Sequence, residues 1–147
     1  FQSTALVEQA IRELNIPDIE FNLHTPNHQP IPLDKVGDEL RKSSIALVLT
    51  HLEAKGMMTT KFFEALGCEK PVLCTPSDNG LLAETIRHTN AGLASSDIDE
   101  IKAFILEKYH EWQQNGFTRQ SVVNKEPFSR QQQAQQFEQL FMQCIQQ

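Results

Sequence analysis

Lys55, Lys61 and Glu64 fall within ten residues of one another in the stretch His51-Leu52-Glu53-Ala54-Lys55-Gly56-Met57-Met58-Thr59-Thr60-Lys61-Phe62-Phe63-Glu64-Ala65-Leu66-Gly67. Lysine ammonium groups suit phosphate, and a carboxylate suits the neighbouring hydroxyls of a ribose. Lys61 and Glu64 are three apart, so a helix puts them on one face. Gly56 lets the backbone approach a ligand closely. The stretch leaves an apolar run and enters a helical pattern, and the free N–H groups and positive dipole end of a helix start bind anions. This chemistry suits recognition of a phosphorylated, ribose-bearing ligand, with a diphosphate near Lys55, Lys61 and the helix start and a diol at Glu64. The same spacing also fits a surface ion pair between Lys61 and Glu64, worth about 0.3 kcal/mol, and the residues alone leave both readings open. Neither a Walker-type glycine-rich loop nor a G-x-G-x-x-G pattern occurs, so the common mononucleotide and dinucleotide fingerprints do not apply.

Other reactive side chains read as structural. His24, His28, His51, His88 and His110 lack zinc-ligand spacing. Cys68 and Cys74 flank a strand entry and read as small core residues rather than nucleophiles. Asp78 with Glu84 reads as carboxylates at a helix start, favoured by the dipole, rather than as an acid–base pair.

The elements that must position these groups follow from periodicity. Ala5, Leu6, Val7, Ala10, Ile11 and Leu14 predict a helix with Ser3 or Thr4 as its cap. Ile19, Phe21 and Leu23 alternate with polar residues and predict a short strand. Three prolines make residues 24–33 a loop, and a helix over 34–43 turns Val36 and Leu40 inward. The apolar runs 45–49 and 71–75 suit strands buried on both faces of a parallel sheet. Between them a helix over 59–66 is ended by Gly67. A turn at 76–80 leads to a helix over 81–89, then a strand at 93–95. A long helix over 97–114 carries Ile98, Ile101, Ile105 and Trp112 among its apolar positions, with Asp97 and Glu100 at capping-box spacing. Ser129 and Gln132 cap a final helix whose stripe (Ala134, Phe137, Leu140, Phe141, Cys144, Ile145) is expected to dock on the body. Nine of the last seventeen residues are glutamine, which reads as the solvated side of that helix rather than an aggregating tract.

This alternation predicts an α/β fold, a Rossmann-like doubly wound parallel sheet of about four or five strands with helices on both faces. Ligands bind such sheets beyond the carboxyl ends of the strands, here the loops after Leu23, Leu49 and Thr75. The 147 residues fit one domain, with no metal or disulfide needed for stability. A net charge of −6 argues against a nucleic-acid surface but not against a local site for one phosphorylated ligand. Three cysteines without metal spacing suit a reduced, cytoplasmic setting, and no apolar run is long enough for a transmembrane segment.

The run from Lys55 to Leu66, followed by Lys70-Pro71-Val72-Leu73, resembles the donor-site segment of GT-B glycosyltransferases. It is most similar to the retaining group called family four, whose members read K-[LF]-[FY]-E-[YA]-L and then K-P-[IV]-L. Asp78-Asn79-Gly80, Glu84, Ala91-Gly92-Leu93 and Phe128-Ser129-Arg130 fall where that family has its acidic-glycine turn, its A-G-L strand and its ending, so the likeness covers about residues 40 to 145.

The resemblance implies a glycosyltransferase whose substrate-binding residues are Lys55, Gly56, Thr60, Lys61 and Glu64. Glu64 would hold the ribose hydroxyls, Lys61 with the backbone of Met58 to Thr60 the diphosphate, and Lys55 and Gly56 the phosphates or sugar. The loop His24 to Asn27 would border the base. His51, by its place just after a buried strand and not by the resemblance, is a candidate to face the donor sugar, with a solvated loop histidine as the alternative reading. It implies a nucleotide sugar as donor, no cofactor, no metal, and a saccharide or lipid-linked acceptor held by a separate N-terminal domain. Transfer would retain anomeric configuration, in the cytoplasm or at the inner face of the membrane. Where many members carry an earlier glutamate this chain has Gly56, and Glu53 is out of register with it. The family's donor domain opens with a strand and a glycine-containing loop, so the chain is expected to be a donor-domain fragment, inactive alone. Two other readings stay open: half of a nucleotide-sugar epimerase, and a non-catalytic α/β interaction domain.

Overall fold

The computed structural model describes residues 4–24, 30–50 and 56–145. Helix α1 (Ala5–Leu14) buries Val7 and Ala10, and Asn15 ends it in the left-handed conformation. After a 3₁₀ turn at Leu33–Lys35 come helix α2 (Val36–Lys42), strand β1 (Ala46–Val48), helix α3 (Thr60–Gly67) and strand β2 (Val72–Cys74). Helix α4 (Leu81–His88), strand β3 (Gly92–Ala94) and helix α5 (Ile98–Asn115) follow, and a second 3₁₀ turn, Glu126–Phe128, leads into helix α6 (Arg130–Ile145).

The strands pair in the order β1-β2-β3, both pairs parallel, with Leu47 opposite Leu73 and Leu73 opposite Leu93. Side chains alternate across a strand, and that period splits the core in two. Ala46, Val48, Val72 and Cys74 meet Phe62, Ala65 and Leu66 of α3 and Leu82 and Ile86 of α4 on one face. Leu73, with half-buried Ile45, Leu47 and Leu93, meets Val7 and Ala10 of α1 and Ile101 and Ile105 of α5 on the other. The apolar runs of β1 and β2 thus have the two-sided burial that a parallel sheet under two helix layers requires. The doubly wound α/β class is what the strand–helix alternation predicted.

Several expectations are corrected. The sheet has three strands among the described residues, not four or five. The segment around Ile19, Phe21 and Leu23 alternates half-buried and exposed residues but forms no ladder. Ile19 and Phe21 pack against the α1–α5 core without a paired strand beside them. Alternation reports burial, whereas a strand also needs a neighbour about 4.8 Å away to take its backbone bonds. Gly67 does not terminate α3; it is its last residue, and Glu69 takes the left-handed position with φ 53°. The Glu69 carboxylate pairs with Arg119 and Lys125, and these two cations hold it below the usual carboxylate range. Asp97 caps α5 through the N–H groups of Asp99 and Glu100, but Glu100 turns away to accept from the Ser95 hydroxyl, so the reciprocal half of the box is missing. Of the apolar positions of α5, Ile101 and Ile105 are buried and Trp112 is exposed.

The largest departure is α6. Phe137, Leu140, Phe141, Met142 and Ile145 are each more than half exposed, and none of its residues is buried. The helix meets the rest of the chain chiefly at the Glu126–Phe128 turn. Spacing at three and four residues specifies an apolar face, but not what covers it.

The residues before α6 run back along the amino-terminal edge of the sheet. The Thr118 hydroxyl donates to Ser44 O (2.5 Å), Gln120 N–H to Glu69 O (2.9 Å) and Val123 N–H to Thr89 O (2.9 Å). This strap leaves the carboxyl ends of the strands uncovered.

Two glycines give opposite expectations. A Cβ on Gly92 (φ 149°) would stand 2.0 Å from Val72 O, so Gly92→Ala should cost on the order of 3 kcal/mol. A Cβ on helical Gly67 meets nothing within 4 Å, so Gly67→Ala should add about 0.5–1 kcal/mol. Urea unfolding midpoints of the two variants check both signs.

Candidate functional site

Strand β1 ends at Val48, and the chain re-enters the described residues at Gly56, in a turn with φ 83°. That angle lies in the left-handed region, which glycine adopts without strain, and a Cβ built there would meet nothing within 4 Å. Met58 packs half-buried against the core, and Thr59, extended at φ −103° and ψ 145°, caps α3. Its hydroxyl accepts from Phe62 N–H at 3.3 Å, and its carbonyl accepts from the same group at 3.1 Å. The N–H groups of Thr60 and Lys61, in the first turn, have no acceptor within the helix.

Packing sets the rotation of α3. Phe62, Ala65 and Leu66 are buried against β1 and β2. That phase leaves Thr60 and Lys61 exposed and Glu64 half-buried on the flank. Thr60 and Lys61 thus lie in the first turn of α3 and Glu64 one turn further along, with Gly56 four residues before the helix, and because α3 follows β1 it starts on the carboxyl-end side of the sheet. Among the described residues no ion pair joins Lys61 to Glu64, so the simple surface-pair reading is not what the structure shows. Lys55, His51 and Glu53 lie outside the described residues, as do most of the loop at residues 24–27 and His28.

The next helix start on the same edge is built differently. Asp78, 5% exposed, accepts from Leu82 N–H (3.1 Å) and Ala83 N–H (2.9 Å), so its carboxylate fills the anion position of α4. Glu84 is an exposed residue of the first turn, and together the two carboxylates follow the dipole-favoured arrangement rather than an acid–base pair. The start of α3 is capped instead by a neutral hydroxyl with a lysine beside it. Among the described residues, no carboxylate caps the start of α3 and no acceptor meets the N–H groups of Thr60 and Lys61, whereas Asp78 takes two of the first N–H groups of α4.

Other sequence candidates separate from this edge. Cys74 is fully buried in the core; burial, helped by the charge of Asp78, pushes its thiol up to about 12, so it is no nucleophile. Lys70 is also buried, at the far end of β2. Its ammonium reaches Thr118 O at 3.5 Å, and burial lowers its pKa. A groove of about 500 Å³ lies at the other end of α3, beside Phe63, Leu66, Gly67 and Phe128, and takes in none of the predicted site residues. Sequence reasoning placed Thr59 inside the helix and missed it as the cap; its signal was a threonine three residues before the buried Phe62.

Helices on both faces of a three-stranded parallel sheet define a Rossmann-like α/β domain, a class that binds ligands beyond the carboxyl ends of its strands. A family model described as glycosyl transferase-like matches residues 3–139, and the chain belongs to that family. Glycosyl transfer is the general activity this membership assigns. No curated protein and no solved structure gave a significant match. No helix among the described residues is long and apolar enough to cross a membrane.

Replacing Thr59 by valine keeps the extended backbone but removes the hydroxyl acceptor. Thr59→Val should lower unfolding stability by about 1 kcal/mol in denaturant titration. An unchanged midpoint would show that the cap contributes nothing.

Proposed function

We propose that the chain is the donor-binding half of a GT-B glycosyltransferase of the retaining, family-four kind. Its ligand is a nucleotide-diphosphate sugar, and the sugar is passed to a saccharide or lipid-linked acceptor held by a separate N-terminal domain. The observation that carries this reading is the contrast between the two helix starts: Asp78 fills that of α4, while that of α3 has a neutral cap, Lys61 and, among the described residues, no acceptor on its first N–H groups. Transfer leaves negative charge on the departing diphosphate, and oriented N–H donors with a lysine stabilise that charge without a metal ion. Glu64, one turn along the same helix, accepts from the ribose hydroxyls, and Gly56 with Lys55 borders the phosphates and sugar. This half alone positions the donor and does not complete transfer, because the acceptor lies on the other domain. The reaction belongs in the cytoplasm, at the inner face of the membrane where the acceptor is lipid-linked.

Saturation-transfer NMR with UDP, GDP, ADP and their sugar conjugates tests the assignment. One base series should give a signal on the ribose protons. Glu64→Ala should weaken the ribose signal, and Lys61→Ala should weaken binding of the diphosphate by roughly tenfold, the scale of one charge-assisted contact. Binding that ignores both substitutions would move the site off α3.

A further inference from the structure

We propose that Thr50 is a positioning residue for the α3 start, acting through the β2–α4 unit rather than by touching ligand; for the donor itself this rests on the reading above. Thr50 is 9% exposed and stands two residues beyond β1, where the chain leaves the sheet. Its hydroxyl has one proton and donates it to Pro76 O at 2.5 Å, across to the loop that follows β2.

That carbonyl is a fixed acceptor. Before it, Thr75 N–H donates to Val48 O at 3.1 Å and extends the β1–β2 ladder. After it, Ser77 N–H donates to the Ser96 hydroxyl at 2.9 Å, and Asp78 is tied to α4 by two N–H groups. The other end of the connection meets the same unit. Met58 packs on the core with its sulfur 4.0 Å from the Thr85 hydroxyl of α4. Thr85 spends its proton on Leu81 O at 2.7 Å, so the Met58 contact is packing, not a directed bond. The chain that leaves β1 and re-enters as α3 is thus fastened at Thr50 by a hydrogen bond and at Met58 by packing, both to residues between Thr75 and Thr85.

Of the two fastenings only Thr50 supplies direction. Valine there keeps the shape and burial of threonine but leaves Pro76 O without its donor, while serine keeps the bond. The first α3 amides that have acceptors, those of Phe62, Phe63 and Glu64, report how firmly the helix start is held, and those of α1 report global stability.

Hydrogen exchange on wild type, Thr50→Val and Thr50→Ser tests this without any ligand. Thr50→Val should speed exchange at Phe62 to Glu64 by roughly fivefold, the scale of one hydrogen bond, with α1 unchanged and Thr50→Ser matching wild type. Exchange equal to wild type in Thr50→Val, or faster to the same degree in α1, overturns the proposal. Nucleotide-sugar binding by saturation-transfer NMR is the second readout. Affinity should fall roughly three- to tenfold in Thr50→Val and recover in Thr50→Ser. Wild-type binding that Lys61→Ala weakens but Thr50→Val does not would overturn the positioning role and leave the donor reading standing. No nucleotide bound by wild type, with exchange local to α3 in Thr50→Val, would overturn the donor reading and keep Thr50 as the residue that sets α3.

Discussion

Burial of Phe62 is the constraint from which the geometry of the site descends. Its ring is fully buried between α3 and the sheet, packs edge-on against Phe63 at 5.4 Å, and is worth about 2–3 kcal/mol of apolar burial. At 100° per residue, fixing Phe62, Ala65 and Leu66 inward fixes the direction of every other α3 side chain. Lys61 must then face solvent and Glu64 must sit on the flank. The same contact pins the helix end against β1 and β2, so the free N–H groups of its first turn open at the strand carboxyl ends. An apolar decision in the core thereby orients polar groups at the surface.

Electrostatics at this edge are local. The chain carries a net charge of −6, and yet the start of α3 has a hydroxyl rather than a carboxylate as its cap. Anion binding by backbone donors depends on what stands within a few ångströms, because exposed charges beyond about 8–10 Å are screened. The placement of Asp78 matters more than the total. Asp78 occupies the start of α4, and under the proposed function the phosphate goes to α3. The ion pairs of Glu69 with Arg119 and Lys125 secure the opposite edge, so the strap and the site do not compete for space.

The sequence carried the fold through its apolar runs. Ile45 to Leu49 and Pro71 to Thr75 announced two-sided strands, and the helices around them appear within a residue or two of their expected bounds. Pairing and partners were not legible in the same way. The alternation at Ile19, Phe21 and Leu23 records burial without backbone pairing, and the α6 stripe records an apolar face without its cover. Gly67 looked like a helix terminator by residue type, but the left-handed turn falls two residues on, at Glu69, whose carboxylate pairs with Arg119 and Lys125 some fifty positions away. For the candidate site, spacing was enough to put Thr60, Lys61 and Glu64 on one helix with Gly56 in the turn before it. It could not reveal the Thr59 cap, the Thr50 tie or the self-capping of α4 by Asp78, since each depends on backbone direction and on partners set by the tertiary fold.

The most direct measurement of the central claim is an amide ¹⁵N–¹H NMR titration of the chain with nucleoside diphosphates. The account predicts that the amides of Thr60, Lys61 and Phe62 shift first and furthest, with Leu82 and Ala83 little moved because Asp78 already occupies them. Saturating shifts centred on α4 or α6, with the α3 start unmoved, would contradict it.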